Sequence, residues 1–141
     1  MKRHPALAAL SREHHHELWL ARGLRRAATA TPEQRLRAGG AYVEQFFGPT
    51  TDHFRREEEV VFPVYARHAG PTPLVERILR EHMELHGLAR GLRAEVVAGE
   101  VAPETLEALG TLLHDHVRLE ERELFEDIQR VVPDDELGAL T

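Results

Sequence analysis

Six residues stand at spacings that suit metal chemistry: His14, His53 with Glu57, His82, and His116 with Glu120. His53-x-x-x-Glu57 and His116-x-x-x-Glu120 are i, i+4 pairs. On a helix each imidazole and its carboxylate share one face, about 6 Å apart along the axis. The imidazole can then bind one ion while the carboxylate bridges toward a second. Nitrogen and oxygen donors without sulfur suit iron or manganese, with zinc as the usual opportunist. Without a metal, protons or partners, such groups in an apolar core would be strongly destabilising.

The pattern is duplicated. Arg12-Glu13-His14 followed by Leu20-Ala21-Arg22-Gly23-Leu24-Arg25 returns as Arg80-Glu81-His82 followed by Leu88-Ala89-Arg90-Gly91-Leu92-Arg93. His53-x-x-x-Glu57-Glu58 with Phe62 returns as His116-x-x-x-Glu120-Glu121 with Phe125. The order is A-B-A′-B′, offset by 68 residues for A (12 to 80) and 63 for B (53 to 116). Duplicated helix pairs can surround two metal ions symmetrically.

These side chains need four helices to position them. The first is expected from about Pro5 to Ala28, with Leu7, Leu10, His14, Leu18, Ala21 and Leu24 on one stripe. Thr31-Pro32-Glu33-Gln34 opens the second as N-cap, N1 proline and capping box. Its expected inner stripe is Val43, Phe46, Thr50, His53, Glu57, Val60 and Val64, kinked or interrupted at Gly48-Pro49 and bent near Pro63. Thr72-Pro73 opens the third, whose stripe includes Ile78, His82, Leu85 or His86, Ala89 and Leu92 before Gly99 stops it. Pro103 opens the fourth, with Leu113, His116, Glu120, Leu124, Ile128 and Val131 inward, and Pro133 ends it. Strand and hairpin signals are absent. The expectation is all-α: one domain over residues 1–141, an antiparallel up-down-up-down four-helix bundle.

His14 is preferred over His15 and His16 because it lies on the leucine stripe and aligns with His82 in the repeat. The halves differ where Leu18 corresponds to His86, so the third helix carries His82-x-x-x-His86. If both Glu bridge, five His and two Glu fill about nine of the twelve positions around an octahedral pair. An oxo or hydroxo bridge takes two more and leaves one position open, on one metal. Glu58, Glu59, Glu121 and Glu123 are expected to be exposed, with Glu58 or Glu121 the acids able to exchange into the ligand set. His4, His68 and His114 are expected to be surface residues without a partner pattern.

Composition narrows the class. The chain has 141 residues, 42% hydrophobic and 30% charged, as expected for a single globular domain. No cysteine is present, which excludes disulfides, cysteine-ligated zinc and iron–sulfur clusters. A net charge of −6 argues against general nucleic-acid binding. No apolar run approaches a membrane span, and Met-Lys-Arg-His-Pro lacks a signal peptide's apolar region, so no membrane association and a cytoplasmic location are the expectations.

The order His, His-x-x-x-Glu, His-x-x-x-His, His-x-x-x-Glu, with His53-Phe54-Arg55-Arg56-Glu57-Glu58 and Phe62-Pro63, resembles the hemerythrin-like (HHE cation-binding) family over nearly the whole chain. The resemblance implies a non-haem di-iron centre in a four-helix bundle. It places His14, His53, Glu57, His82, His86, His116 and Glu120 in the ligand positions. The implied cofactor is two iron ions, with zinc or manganese as substitutes. The implied partner is a small ligand such as oxygen, for sensing, storage or detoxification. Oxygen-carrying hemerythrins typically end the pattern with His-x-x-x-x-Asp, whereas this chain has His116-x-x-x-Glu120 and no Asp at 121. The resemblance therefore extends to the metal site and not to reversible oxygen carriage.

Other chemistries fit less well. A redox enzyme acting on peroxide or nitric oxide, and an iron-sensing or storage module, use the same residues. A ferritin-like site needs Glu-x-x-His twice, but Glu13-x-x-His16 has no second copy because position 84 is Glu. Met83 breaks a His-Glu-x-x-His zinc-protease motif. Phe46, Phe47 and Trp19 read as packing residues.

Overall fold

Four helix starts carry proline in the first turn, at Pro5, Pro32, Pro73 and Pro103. Its fixed φ and missing N–H are no handicap there. The computed structural model describes residues 2–140. Its helices are α1 (Pro5–Ala28), α2 (residues 32–69), α3 (Pro73–Ala98), α4 (residues 103–131) and a short α5 (Asp134–Gly138). No strand occurs among the described residues, and no helix is long and apolar enough to cross a membrane.

The expected boundaries have local causes. Thr31 Oγ1 accepts from Gln34 N at 3.2 Å, and Gln34 Oε1 accepts from Thr31 N at 3.1 Å, closing the capping box. Thr72 Oγ1 caps α3 through Val75 N at 3.1 Å. Gly99 ends α3 at φ 86°, a left-handed conformation that costs glycine little. Short connections make successive helices antiparallel. Helix α1 packs on α2 and α4, and α3 on α2 and α4, which gives the up-down-up-down bundle. Gly110 permits a close approach of α1 and α4: a Cβ there would stand 2.9 Å from the Ala21 carbonyl oxygen.

Three π-helical turns interrupt the long helices: Phe46–Thr50 and Glu57–Val61 in α2, and Glu120–Leu124 in α4. The first contains Pro49, where the sequence predicts a kink. Each wide turn takes up one extra residue and advances the inward register by one. Val61 is therefore buried in place of Val60, which is 40% exposed. At the end of α4, Val131 is 37% exposed and Val132, in extended conformation just past the helix, is the buried residue.

The core is two apolar clusters with a polar layer between them. One contains Leu24, Phe46, Leu85, Leu92, Leu109 and Leu113; the other contains Leu7, Leu10, Val61, Ile78, Leu124 and Ile128. On all four long helices the chemistry-bearing residues stand where the stripe passes from one cluster to the other. Helix α5 adds buried Leu137 to the second cluster. Two surface imidazoles hold α5 in place, correcting the expectation that they lack partners. His4 Nε2 reaches Asp134 Oδ1 at 2.9 Å, and His68 pairs with Glu136.

Candidate metal centre

The polar layer consists of His14 from α1, His53 and Glu57 from α2, His82 from α3, and His116 and Glu120 from α4. All six are buried, with Glu57 and Glu120 at 0% exposure. Two groups form. In the first, His14, His53, Glu57 and Glu120 bring ligand atoms within 4.8 Å of one another; in the second, His82, His116 and Glu120 do so.

The carboxylates lie between the groups. Glu120 Oε2 is 3.0 Å from His14 Nε2, and its Oε1 is 2.8 Å from His116 Nε2 and 3.4 Å from His82 Nε2. Glu57 Oε2 is 3.3 Å from His53 Nε2 and 3.6 Å from His14 Nε2, while its Oε1 is 3.5 Å from His82 Nε2. Each carboxylate thus turns one oxygen toward each group. His14 Nε2 and His53 Nε2 are 3.0 Å apart.

Each ring has its other nitrogen held from outside. His14 Nδ1 reaches Glu121 at 2.8 Å, His53 Nδ1 reaches Glu13 at 2.7 Å, His82 Nδ1 reaches Glu58 at 2.6 Å, and His116 Nδ1 reaches Glu81 at 2.8 Å. With Nδ1–H donated to a carboxylate, loss of the remaining ring proton would leave the Nε2 lone pair facing inward, the tautomer a metal ligand needs. The arrangement repeats with the sequence: Glu13 matches Glu81, and Glu58 matches Glu121. Guanidinium groups brace three of the four acids. Arg56 donates to Glu13 at 2.5 Å, Arg3 to Glu121 at 2.7 Å and Arg77 to Glu81 at 3.4 Å.

Electrostatics follow from this packing. Burial opposes the charged form of His82, but hydrogen bonds to Glu120 and Glu57 and their charges outweigh it and push the pKa up to about 10. His14 is likewise raised well above its ordinary value: burial opposes the charge, and hydrogen bonds to Glu120, Glu121 and Glu57 overcome it. Burial also opposes ionisation of Glu120, yet the facing His116 holds its carboxyl well below the usual range. Compensation is incomplete. Glu57 Oε1 and Oε2, Glu120 Oε2 and His116 Nε2 are buried close to their facing groups, yet none makes a well-aligned hydrogen bond. Buried polar atoms rarely lack partners in proteins. Here the unpartnered atoms belong to convergent donors of the types that bind divalent metals, so the residues fit a metal site.

Of the seven positions singled out in the sequence, six converge in this layer. His86 stands outside both groups. It is half-buried one turn along α3 from His82, its ring edge-on to Phe46 at 5.1 Å and to Phe54 at 6.0 Å. Phe54 also stacks on His82 at 3.8 Å. His15 and His16 are exposed, and His16 stacks on Trp19. The outer acids are the residues missed from sequence. Glu121, expected to be exposed, keeps only 16% of its side chain accessible. The signal was present, since all four lie inside the repeated phrases.

Residues 6–128 match the hemerythrin HHE cation-binding domain. The chain belongs to that family. No match was found among curated proteins or among solved structures. For this HHE domain, cation binding agrees with the buried imidazole and carboxylate groups that can hold a metal.

Proposed function

We propose that this HHE protein holds two iron ions in the polar layer, and that the reduced centre binds or reacts with oxygen or a similar small ligand for sensing, storage or detoxification. The single observation that carries the reading is the placement of Glu57 and Glu120, each with one oxygen toward either imidazole group. His14 and His53 would serve one ion, His82 and His116 the other, and both carboxylates would be shared. His86 is the proposed additional imidazole of the second group.

Bound iron would supply redox chemistry toward a small ligand. The chain's own residues would set the conditions. Glu13, Glu58, Glu81 and Glu121 orient the rings. Phe54, stacked on His82, and Phe125, 5.1 Å from His14, limit water beside them. With Glu120 in place of a more distant Asp, the expected outcome with oxygen is oxidation of the centre rather than release of oxygen intact.

Anaerobic loading with ferrous iron, followed by cycles of oxygen and vacuum under a spectrometer, tests the reading. Two irons per chain and a spectral change that vacuum does not reverse are expected. One ion or none would overturn the two-metal site. Repeated full recovery would show a carrier, and no response to oxygen would remove oxygen from the function.

A further inference from the structure

The two halves of the duplicated plan also differ at a buried place beside the ligands. Glu17 and Thr50 stand where the second half has Leu85 and Leu113 at the same offsets. All four side chains are buried, at 5%, 1%, 0% and 1% exposure respectively. Leu85 and Leu113 pack in the apolar core, so the duplicated scaffold accepts leucine in both places. The first half instead buries a carboxylate. Thr50 Oγ1 donates to Glu17 Oε1 at 2.5 Å, and Glu17 Oε2 has no partner. Leaving a buried carboxylate oxygen unpartnered costs stability, and a cost kept where leucine would fit points to a use.

Glu17 lines a cavity of about 780 Å³ between α1 and α2. Exposed His16 and Asp52 stand at its outer side, and buried Glu17 and His53 at its inner side. His53 belongs to the first ligand group, so the cavity runs from solvent to one member of that group. Three acids, Glu13, Glu17 and Asp52, outnumber the two guanidiniums, Arg12 and Arg56, in its walls. Arg56 spans the mouth between two carboxylates, with Nη2 2.5 Å from Glu13 and Nε 3.3 Å from Asp52. Oxygen, an apolar gas, gains nothing from an acidic passage. A cation does, because each acid replaces part of the hydration it loses on the way in.

We propose that this cavity is the path by which a divalent metal ion reaches the centre from solvent, with Glu17 as the inner relay ligand beside His53. The proposal rests on the reading of the polar layer as a metal centre. The leucine pair closes the corresponding place in the other half, so loading runs from one side.

Stopped-flow uptake of ferrous iron by the metal-free full chain, kept anaerobic, tests it, with Co²⁺ as a spectroscopic probe. Two variants serve: Glu17→Gln, and the double change Glu17→Leu with Thr50→Leu, which copies the chain's own second half. Both should load more slowly by about tenfold or more, the scale of electrostatic effects on association. Both should reach the same final metal content, and the double variant should melt no lower than the parent. If the double variant fails to fold, Glu17→Gln decides alone. Uptake at the parental rate would overturn the proposal while leaving the metal centre intact. Parental uptake with a slowed oxygen reaction after loading would also overturn it, making the cavity the ligand's path. A parent chain that takes up no metal would overturn the centre itself.

Discussion

Glu120 and Glu121, adjacent in one π turn, hold opposite edges of the His14 ring. Glu121 Oε1 lies 2.8 Å from Nδ1, and Glu120 Oε2 lies 3.0 Å from Nε2. Glu57 and Glu58 do the same for His82, at 3.5 Å from Nε2 and 2.6 Å from Nδ1. Neighbouring residues of a regular helix point about 100° apart. In each case one acid faces the core while the next reaches around the ring from outside. The π turn begins at the inner acid in both halves, consistent with the frequent use of such turns at functional sites.

The holder should matter to the ligand. Glu121→Ala frees His14 Nδ1 and with it the tautomer and orientation of the ring, so metal affinity should fall by about 10- to 100-fold. Glu121→Gln keeps an acceptor oxygen and should lose less. Competition with a coloured chelator measures both. Parental affinity in the alanine variant would show that the ring needs no holder.

Among the three consecutive histidines, only His14 is buried; His15 and His16 face solvent. His14→Ala should therefore lose metal, and His15→Ala and His16→Ala should keep it. Metal content after gel filtration distinguishes them. Equal loss from all three would place the α1 register elsewhere.

His86 offers a sharper test of the second group. If it completes that group, His86→Ala should retain one tightly bound metal and hold the other weakly, whereas Glu120→Ala should weaken both. Titration of metal-free protein with Co²⁺ resolves the two steps. Two tight metals in His86→Ala would leave His86 as a packing residue of the Phe46 face.

Helix starts were legible in the sequence because Thr31, Thr72 and the N-terminal prolines act locally. The six residues that meet in the polar layer were legible because duplication placed each of these His and Glu twice. The π turns were not, since no residue type demands one: only Pro49 marks the first, and Glu57–Val61 and Glu120–Leu124 carry no such mark. The latter two begin at Glu57 and Glu120, where side chains from opposite helices meet in the polar layer, a tertiary requirement. The outer acids were hidden for a similar reason, because a carboxylate beside a ligand on one helix serves a ring on another. The register shift is measurable. Val61→Ala should destabilise the fold by about 1–2 kcal/mol, and Val60→Ala by about 0.5 kcal/mol or less, read by chemical denaturation. The reverse order would refute the π turn.

Proton release should accompany metal uptake. In the metal-free chain His82 has a pKa of about 10, raised from 6.5 because Glu120 and Glu57 outweigh the effect of burial, so it is protonated at pH 7. A metal binds the neutral ring, and the proton must leave. The same shift governs stability. A group whose folded pKa is raised contributes stability that is full below its unfolded value, near 6.5, and is lost as pH rises through its folded value, near 10. Glu121 runs the other way. Burial opposes its ionisation, but the hydrogen bond to His14, the nearby Ser11 hydroxyl and the positive charges of His14 and Arg3 lower its pKa to about 2. Its contribution is present above about pH 4.5 and is lost as pH falls toward 2. The melting temperature of the metal-free protein should therefore decline from pH 7 to pH 10. Metal should bind more tightly over the same interval, because fewer protons oppose it. A pH-indicator dye in weak buffer should record at least about one proton released per chain at pH 7. No release, together with a flat melting temperature from pH 7 to pH 10, would mean that the imidazoles are already neutral before metal arrives.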